Sequence, residues 1–111
     1  MVAANAVKRG DVHLIDLDPT RGGEIRKTRP CLVVSPDELN AHIRTHIVAP
    51  LTTGGHAYPF RVPCRFQGTV GHVVCDQIRT IDRDCLVRKL GRISPGTLQR
   101  VLTVLQEMFA R

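Results

Sequence analysis

The apolar residues of this 111-residue chain are gathered in short runs, and this pattern limits the fold more than any other feature of the sequence. Short runs that are rich in β-branched side chains and bounded by Gly, Pro or Asp are typical of strands rather than of buried helices. We therefore predict six strands, at 12–17, 31–34, 47–51, 60–62, 70–75 and 86–90, the last ended by Gly91.

The C-terminal segment has the helical period instead. Ser94 and Pro95 supply an N-cap and a first-turn proline for a helix over 95–109. Its apolar face is formed by Leu98, Val101, Leu102, Leu105, Met108 and Phe109. One further turn of helix is predicted at 36–40, after the second strand, with Ser35 as its N-cap. A helix packed on five or six short antiparallel strands predicts a mainly β (α+β) fold, a small β-barrel.

The length of the chain leaves no room for two independent cores, so we expect residues 1–111 to form a single domain. No apolar run approaches the roughly 20 residues of a membrane-spanning helix. Residues 1–9 lack the apolar core of a secretory signal. We therefore expect a soluble cytoplasmic protein with no membrane partner.

The charge balance of the chain is basic. Sixteen Lys and Arg residues against ten Asp and Glu residues give a formal net charge of +6. On so small a body this excess attracts polyanions, so we expect nucleic acid or an acidic protein as the partner. The same charge also serves plain solubility, and that alternative stays open.

The cysteines and histidines do not have the spacing of a metal site. The four cysteines form no C-x-x-C pair, and Cys31 and Cys75 lie in apolar runs, where a reduced thiol packs like a small hydrophobe. His42 and His46 are four residues apart but have no third ligand nearby in the sequence. We therefore predict neither a metal site nor a cofactor.

Polar residues at the ends of predicted strands are the candidates for chemistry. They are Arg29 before the second strand, Thr52 and Thr53 after the third, Asp76 and Gln77 after the fifth, and Glu24 in the charged loop at 20–28. A flexible, charged loop between two strands is often functional. Turn residues or a structural ion pair would have the same spacing, and spacing alone favours that second interpretation.

The same residues belong to a series of segments that resembles the MazF/PemK family of toxin endoribonucleases from bacterial toxin–antitoxin modules. The segments are RGDV at 9–12, DLDPTRG at 16–22, TRP at 28–30, VVSP at 33–36, Asn40, VAPLTT at 48–53, YPF at 58–60, DQIRTI at 76–81 and GR at 91–92. Each segment alone is weak evidence, but they occur in register over nearly the whole chain.

The resemblance implies an SH3-like barrel with a C-terminal helix, working as a homodimer. It implies metal-free cleavage of single-stranded RNA at short sequences, and inhibition by an acidic antitoxin segment in the same groove. It assigns the catalytic pair to Arg29 and Thr52. The supporting or RNA-binding positions that it implies are Glu24, Arg26, Lys27, Thr53, Asp76, Gln77 and Arg79.

The chain departs from the family pattern at several positions. His13 stands where Trp or Tyr is usual, and Gly23 and Ile25 flank Glu24 where Ser and Gln are usual. Val74 replaces an Arg that at least one branch of the family uses in catalysis. These departures concern base preference and the proton donor more than the reaction itself.

The implied reaction is attack of the ribose 2′-OH on its own phosphate, which leaves a 2′,3′-cyclic phosphate and a 5′-OH. It requires deprotonation of the 2′-OH, stabilisation of the phosphorane and protonation of the leaving oxygen. The planar guanidinium of Arg29 matches two phosphate oxygens, and the Thr52 hydroxyl can donate to the same phosphate. The base stays open between Glu24 and a histidine, of which His56 is the best placed in the sequence.

Two other functions remain open. The first is a non-catalytic toxin of the same barrel fold that blocks a protein target such as gyrase. The second is a plain nucleic-acid-binding barrel of the SH3 or OB kind. The pair Arg29 and Thr52 favours the enzyme, and the 4% aromatic content argues against a base-stacking surface.

Overall fold

The computed structural model describes residues 6–111. Its strands are β1 (Asp11–Asp16), β2 (Thr28–Val33), β3 (Thr45–Thr53), β4 (Arg61–Phe66), β5 (Thr69–Val74), β6 (Arg79–Asp82) and β7 (Leu86–Arg92). The two helices are α1 (Asp37–His42) and α2 (Pro95–Met108), and short 3₁₀ turns follow β5 (Cys75–Gln77) and β6 (Arg83–Cys85). The antiparallel sheet has the order β4-β5-β3-β2-β1-β7, and β6 pairs with β3 outside that path.

The predicted fold class is confirmed: the protein is mainly β, with a short helix after β2 and a C-terminal helix. The sheet is barrel-like but open, because its path ends at β4 and β7. Six strands were predicted, and residues 6–111 contain seven. The segment that forms β6 is mostly polar and was missed, since it shows no apolar run. β2 and β3 are longer than predicted, so that Arg29, Thr52 and Thr53 lie within strands rather than beside them.

The pairing of β2 with β3 stops before the end of β3 that carries the candidate residues. β3 pairs with β2 as far as Cys31↔Pro50, and from Leu51 onwards it pairs with β5. The start of β2 and the end of β3 therefore diverge beyond that point. Because these two strand segments pair with β1 and β5 but not with each other, a cleft can open between them.

Buried residues form a core on each side of the sheet, because alternate residues of a strand point to opposite faces. On the face covered by α2 the core includes Val12, Leu32, Ala49, Leu51, Val73 and Val101. On the other face it includes Ile15, Leu17, Cys31, Val33, Val48 and Ile81. Each fully buried aliphatic side chain contributes roughly 1.5–3 kcal/mol to stability.

The C-terminal helix begins as predicted. Ser94 caps α2 by accepting a hydrogen bond at 3.3 Å from the backbone N–H of Thr97. Val101 is fully buried, and Leu98, Leu105 and Met108 pack beside it. The inclusion of Phe109 in the apolar face was wrong, because α2 ends at Met108 and Phe109 is 70% exposed.

The predicted cap of the short helix was also wrong. Pro36 occupies the N-cap of α1, and no side chain caps it. Ser35 instead uses its hydroxyl to donate to Asn40 Oδ1 at 2.6 Å and to accept from the Ile47 N–H at 3.1 Å. The buried Ser35 therefore ties α1 to β3.

Within the described residues, neither helix has the length and apolarity that crossing a membrane requires. The segment 1–9 is expected to lack a secretory signal, and its residues 1–5 lie outside the described residues.

Candidate active site

An open cleft of about 600 Å³, here called the main cleft, lies where β2 and β3 diverge. Arg29 on β2 and Thr52 and Thr53 on β3 line it. The segment 17–27, here called the β1–β2 loop, lines it with Glu24, Arg26, Lys27 and three neighbouring residues, Gly22, Gly23 and Ile25. Six of the residues predicted for the site are therefore brought together in one cleft.

The guanidinium of Arg29 is held at one nitrogen only. Its Nε donates a hydrogen bond at 3.2 Å to the backbone carbonyl of Arg26. Neither terminal nitrogen, Nη1 or Nη2, has a hydrogen-bond or ion-pair partner in residues 6–111. Two parallel N–H donors on an exposed cation match two oxygens of one phosphate.

Thr52 lies half-buried at the end of β3, directly opposite His72 on β5. Its hydroxyl makes a long contact of 3.5 Å with the backbone carbonyl of His72. The His72 ring in turn contacts the Gly54 carbonyl through Nδ1 at 2.9 Å. Sequence reasoning did not single out His72, since only the pairing of β3 with β5 brings it beside Thr52.

Glu24 takes part in a turn of the β1–β2 loop. Its carboxylate accepts a hydrogen bond at 2.5 Å from the Arg21 N–H, and its own N–H donates to the Arg21 carbonyl. The exposed carboxylate borders both the main cleft and a neighbouring cleft of about 270 Å³.

The neighbouring cleft contains Asp76, Gln77 and Arg79, together with Glu24 and Ile25 of the loop. Gln77 accepts from the Ile25 N–H at 2.8 Å through Oε1 and makes a longer contact of 3.5 Å with the Gly23 carbonyl. Arg79 donates to the Leu17 carbonyl at 3.0 Å. Gln77 and Arg79 thus fasten the β1–β2 loop at its middle and at its start.

Asp76 forms a two-pronged ion pair with Arg61, not with Arg29. Arg61 Nε and Nη2 donate to the two Asp76 oxygens at 2.9 and 3.1 Å. These bonds lower the pKa of Asp76 from its usual range and raise the pKa of Arg61. The Arg61 guanidinium also lies 4.9 Å from the ring centre of Tyr58, which is a cation–π distance.

His56 does not line either cleft. Its ring contacts Tyr58 edge-on, with 6.4 Å between the ring centres. The loop position that made it the best-placed histidine in the sequence therefore brings it to Tyr58 and not to the main cleft.

A smaller apolar pocket of about 210 Å³ adjoins the main cleft and shares Arg29, Thr52 and Thr53 with it. Its apolar lining comes from Pro30, Leu51, Phe66 and Leu90. The site therefore places the positive charge of Arg29 beside a hydrophobic recess.

No group of three or more His, Cys, Asp or Glu side chains that could hold a metal ion occurs among residues 6–111. His42 and His46 do not share a helical face, since His42 ends α1 and His46 is buried in β3.

Solved structures of the same fold come from bacterial toxin–antitoxin systems. MazF from Deinococcus radiodurans superimposes with a TM-score of 0.82 at 27% identity, over 93% of this chain and 96% of that one. An endoribonuclease from a mycobacterial species, solved with its cognate antitoxin, gives a TM-score of 0.77 at 29% identity, over 92% of this chain and 93% of that one.

Sequence comparison gives the family. Endoribonuclease PemK of Escherichia coli is 43% identical over 102 residues, which cover 86% of this chain and 77% of PemK. Endoribonuclease toxin MazF of Escherichia coli K12 is 33% identical over 91% of this chain and 92% of MazF. The sequence model of the family of PemK-like, MazF-like toxins of type II toxin–antitoxin systems matches residues 8–109. The chain belongs to this family.

Proposed function

We propose that this chain is an endoribonuclease toxin that cleaves single-stranded RNA at short sequences without a metal ion, and so inhibits translation and growth. The observation that carries the proposal is the meeting of Arg29 and Thr52 in one open cleft, with both terminal nitrogens of Arg29 unpaired. The relatives that are named endoribonucleases support the same function. The toxin acts in the cytoplasm, where cellular RNA is found.

Arg29 and Thr52 supply the stabilisation that the phosphorane needs. Nη1 and Nη2 of Arg29 donate to two non-bridging oxygens of the scissile phosphate, and the Thr52 hydroxyl donates to one of them. Donors that are aimed at developing charge before the reaction begins lower its barrier, and loss of one such donor typically costs about 10²–10³ in rate. The carbonyl of Arg26 keeps the Arg29 fork oriented through Nε.

The two clefts form the path of the RNA strand. Arg26 and Lys27 add positive charge next to the scissile phosphate, and Thr53 adds a hydroxyl. Asp76, Gln77 and Arg79 lie along the neighbouring cleft, where polar groups can contact bases. An open path of this kind suits a single strand, whose unstacked bases expose their edges.

The antitoxin is an acidic segment that binds over the same path. Its carboxylates pair with Arg29, Arg26 and Lys27, and an apolar side chain fills the pocket formed by Pro30, Leu51, Phe66 and Leu90. The net charge of +6 favours such a partner. RNA and antitoxin therefore compete, and a competition titration with labelled RNA tests this.

The toxin works as a symmetric homodimer, the usual assembly for a small protein of this size. Exposed apolar side chains of the monomer, among them Leu39, Ile43, Val87 and Phe109, support an interface between copies. Light scattering at micromolar concentration tests the assembly, and a monomeric mass alone would rule it out.

The test of the reaction is to incubate the purified protein with a long RNA in EDTA and to map the ends. We expect cuts at one short sequence, with 5′-OH and 2′,3′-cyclic phosphate ends. Arg29→Ala should fold normally and leave the RNA intact, and Arg29→Lys should recover little activity because Lys lacks the two-pronged geometry.

Two outcomes would reject the proposal. Strict dependence on Mg²⁺ with 5′-phosphate ends would indicate a different mechanism. Full toxicity of Arg29→Ala in cells, without any RNA cleavage, would favour the non-catalytic toxin that blocks a protein such as gyrase.

A further inference from the structure

We propose that His72 is the general base that removes the 2′-OH proton during RNA cleavage by this chain. The inference rests on the proposed function, because it needs RNA bound to Arg29 and Thr52. It assigns a role that the reaction requires and that neither of those residues can perform. A guanidinium has no lone pair to accept a proton near neutral pH, and a hydroxyl is a very weak base.

The register of β3 and β5 places His72 beside Thr52. The two residues are direct antiparallel partners, and partners of this kind have Cβ atoms about 4.5–5.5 Å apart on the same face of the sheet. The preceding pair, Leu51 and Val73, is buried in the core beneath α2. Thr52 and His72 therefore point to the opposite face, and both are half-buried rather than enclosed.

The hydrogen bond of the His72 ring fixes which nitrogen can act as a base. Nδ1 lies 2.9 Å from the Gly54 carbonyl oxygen, and a carbonyl can only accept. Nδ1 therefore carries the proton in the neutral ring, and the lone pair is on Nε2. Nε2 has no hydrogen-bond partner among residues 6–111, so it is free to accept a proton.

None of the other candidate bases is a strand partner of Thr52. His13 and His46 are buried within the fold, and His42 lies at the end of α1 with its ring on the Glu38 carbonyl. His56 lies against Tyr58. Glu24 lines the main cleft, but it lies on the β1–β2 loop rather than on a strand, and one of its oxygens accepts from the Arg21 N–H. Of the five histidines, His72 alone is the strand partner of Thr52.

The side chains of His72, Arg29 and Thr52 act together in the chemical step. Nε2 of His72 takes the proton of the ribose 2′-OH as the O2′–P bond forms and the P–O5′ bond breaks. Arg29 and Thr52 hold the non-bridging oxygens, and O5′ takes a proton from water. The products are a 2′,3′-cyclic phosphate and a 5′-OH, and the His72 imidazolium returns its proton to the solvent.

The experiment compares His72→Asn with wild type in steady-state cleavage of a short fluorescent RNA. Asn places an amide N–H near the position of Nδ1, so it can keep the bond to the Gly54 carbonyl while it removes Nε2. A general base typically contributes about 10²–10⁴-fold, so we expect kcat to fall at least about 100-fold with little change in KM. The acidic limb of the pH–rate profile should disappear.

The matched control is His42→Asn, since His42 also contacts a backbone carbonyl through Nδ1, at 2.7 Å, but lies on α1 and is not a strand partner of Thr52. It should cleave like wild type. In His72→Ala, added imidazole should restore part of the rate, which a purely structural role of the ring would not allow. This rescue also decides the question if His72→Asn does not fold.

The outcomes separate the inference from the proposed function. Wild-type kcat and pH profile in His72→Asn, with Arg29→Ala inactive, would overturn the role of His72 and leave the endoribonuclease assignment standing. Full activity in Arg29→Ala would overturn the assignment itself. Loss of activity in His72→Ala without imidazole rescue, together with an active His72→Asn, would reduce His72 to a structural residue.

Discussion

Gly71 lies so close to Thr52 that a Cβ built on Gly71 would sit 1.6 Å from the Thr52 carbonyl oxygen. No side chain at this position of β5 can be accommodated without moving the β3 backbone. The approach of the two strands therefore depends on glycine at the point where β3 carries Thr52. The position of the Thr52 hydroxyl is therefore coupled to a residue that has no side chain.

We expect Gly71→Ala to separate β5 from β3, because overpacking of this kind costs about 1–3 kcal/mol of unfolding free energy. Cleavage should fall as well, since Thr52 moves. Gly23→Ala is the matched control for stability, because a Cβ there meets nothing within 4 Å. Urea unfolding of both variants is the measurement. Equal unfolding free energies for Gly71→Ala and wild type would contradict the close contact.

Gln77→Ala should loosen the β1–β2 loop. The substitution removes the acceptor of the Ile25 N–H, and one such hydrogen bond contributes about 0.5–1.5 kcal/mol. We expect faster hydrogen exchange at the Ile25 amide and a higher KM for RNA. An antitoxin segment that displaces this loop should bind more tightly to Gln77→Ala than to wild type, because displacing the loosened loop costs less free energy. Gln106→Ala, on the exposed side of α2, is the control.

The Arg61–Asp76 pair should add little to stability, because the Asp76 side chain is 38% exposed and water screens the charges. A double-mutant cycle with Arg61→Gln and Asp76→Asn should give a coupling of about 1 kcal/mol or less. Because folding lowers the pKa of Asp76, this coupling is present above the unfolded value and is lost in acid. A coupling that persists unchanged at pH 2 would refute the ion pair as its source.

The two buried histidines should make the fold sensitive to mild acid. His13 and His46 are 8% and 1% exposed, and burial lowers the pKa of each from the ordinary value of 6.5. The Nε2 atom of each is buried without a hydrogen-bond partner among the described residues, although that of His13 lies 3.8 Å from Asp11. Folding therefore favours the neutral rings.

Below about pH 6.5 the unfolded chain binds more protons than the folded chain, so the free energy of unfolding should fall as the pH decreases. We expect this loss in urea titrations between pH 7 and pH 5, before most carboxylates are protonated. His13→Phe and His46→Met should each reduce the slope, whereas His42→Gln, at an exposed position, should not. Identical slopes in all four proteins would disprove the assignment.

Much of the fold can be predicted from local sequence. The β-branched runs identify part of each of six strands, although only the first two residues of β4. Ser94-Pro95 marks the start of α2, because a hydrophobic period and a cap are local signals. β6 cannot be predicted from local sequence, because its residues are mostly polar and its strand conformation depends on pairing with β3. Ser35 fails as a cap because its hydroxyl is used by Asn40 and Ile47, contacts that depend on the tertiary fold.

The candidate site, like the fold, can be predicted only in part from the sequence. Arg29 and Thr52 can be recognised from segments that resemble a family, and the structure brings them to one cleft. His72 cannot be found by that means, since its place beside Thr52 depends on a pairing twenty residues away in the chain. Gln77 is recognised as a site residue, but its hold on the β1–β2 loop is visible only in three dimensions.

The main cleft is lined by residues of the strands β2 and β3 and by residues of the β1–β2 loop. Arg29 and Thr52 are fixed by a sheet with a core on both sides, whereas Glu24, Arg26 and Lys27 lie on a segment that carries little of the core. We therefore expect substitutions in the loop to alter which nucleotides are accepted while stability changes little. In an evolving lineage of such toxins, we expect new target sequences to arise from substitutions in the β1–β2 loop, while the residues on β2 and β3 are inherited unchanged.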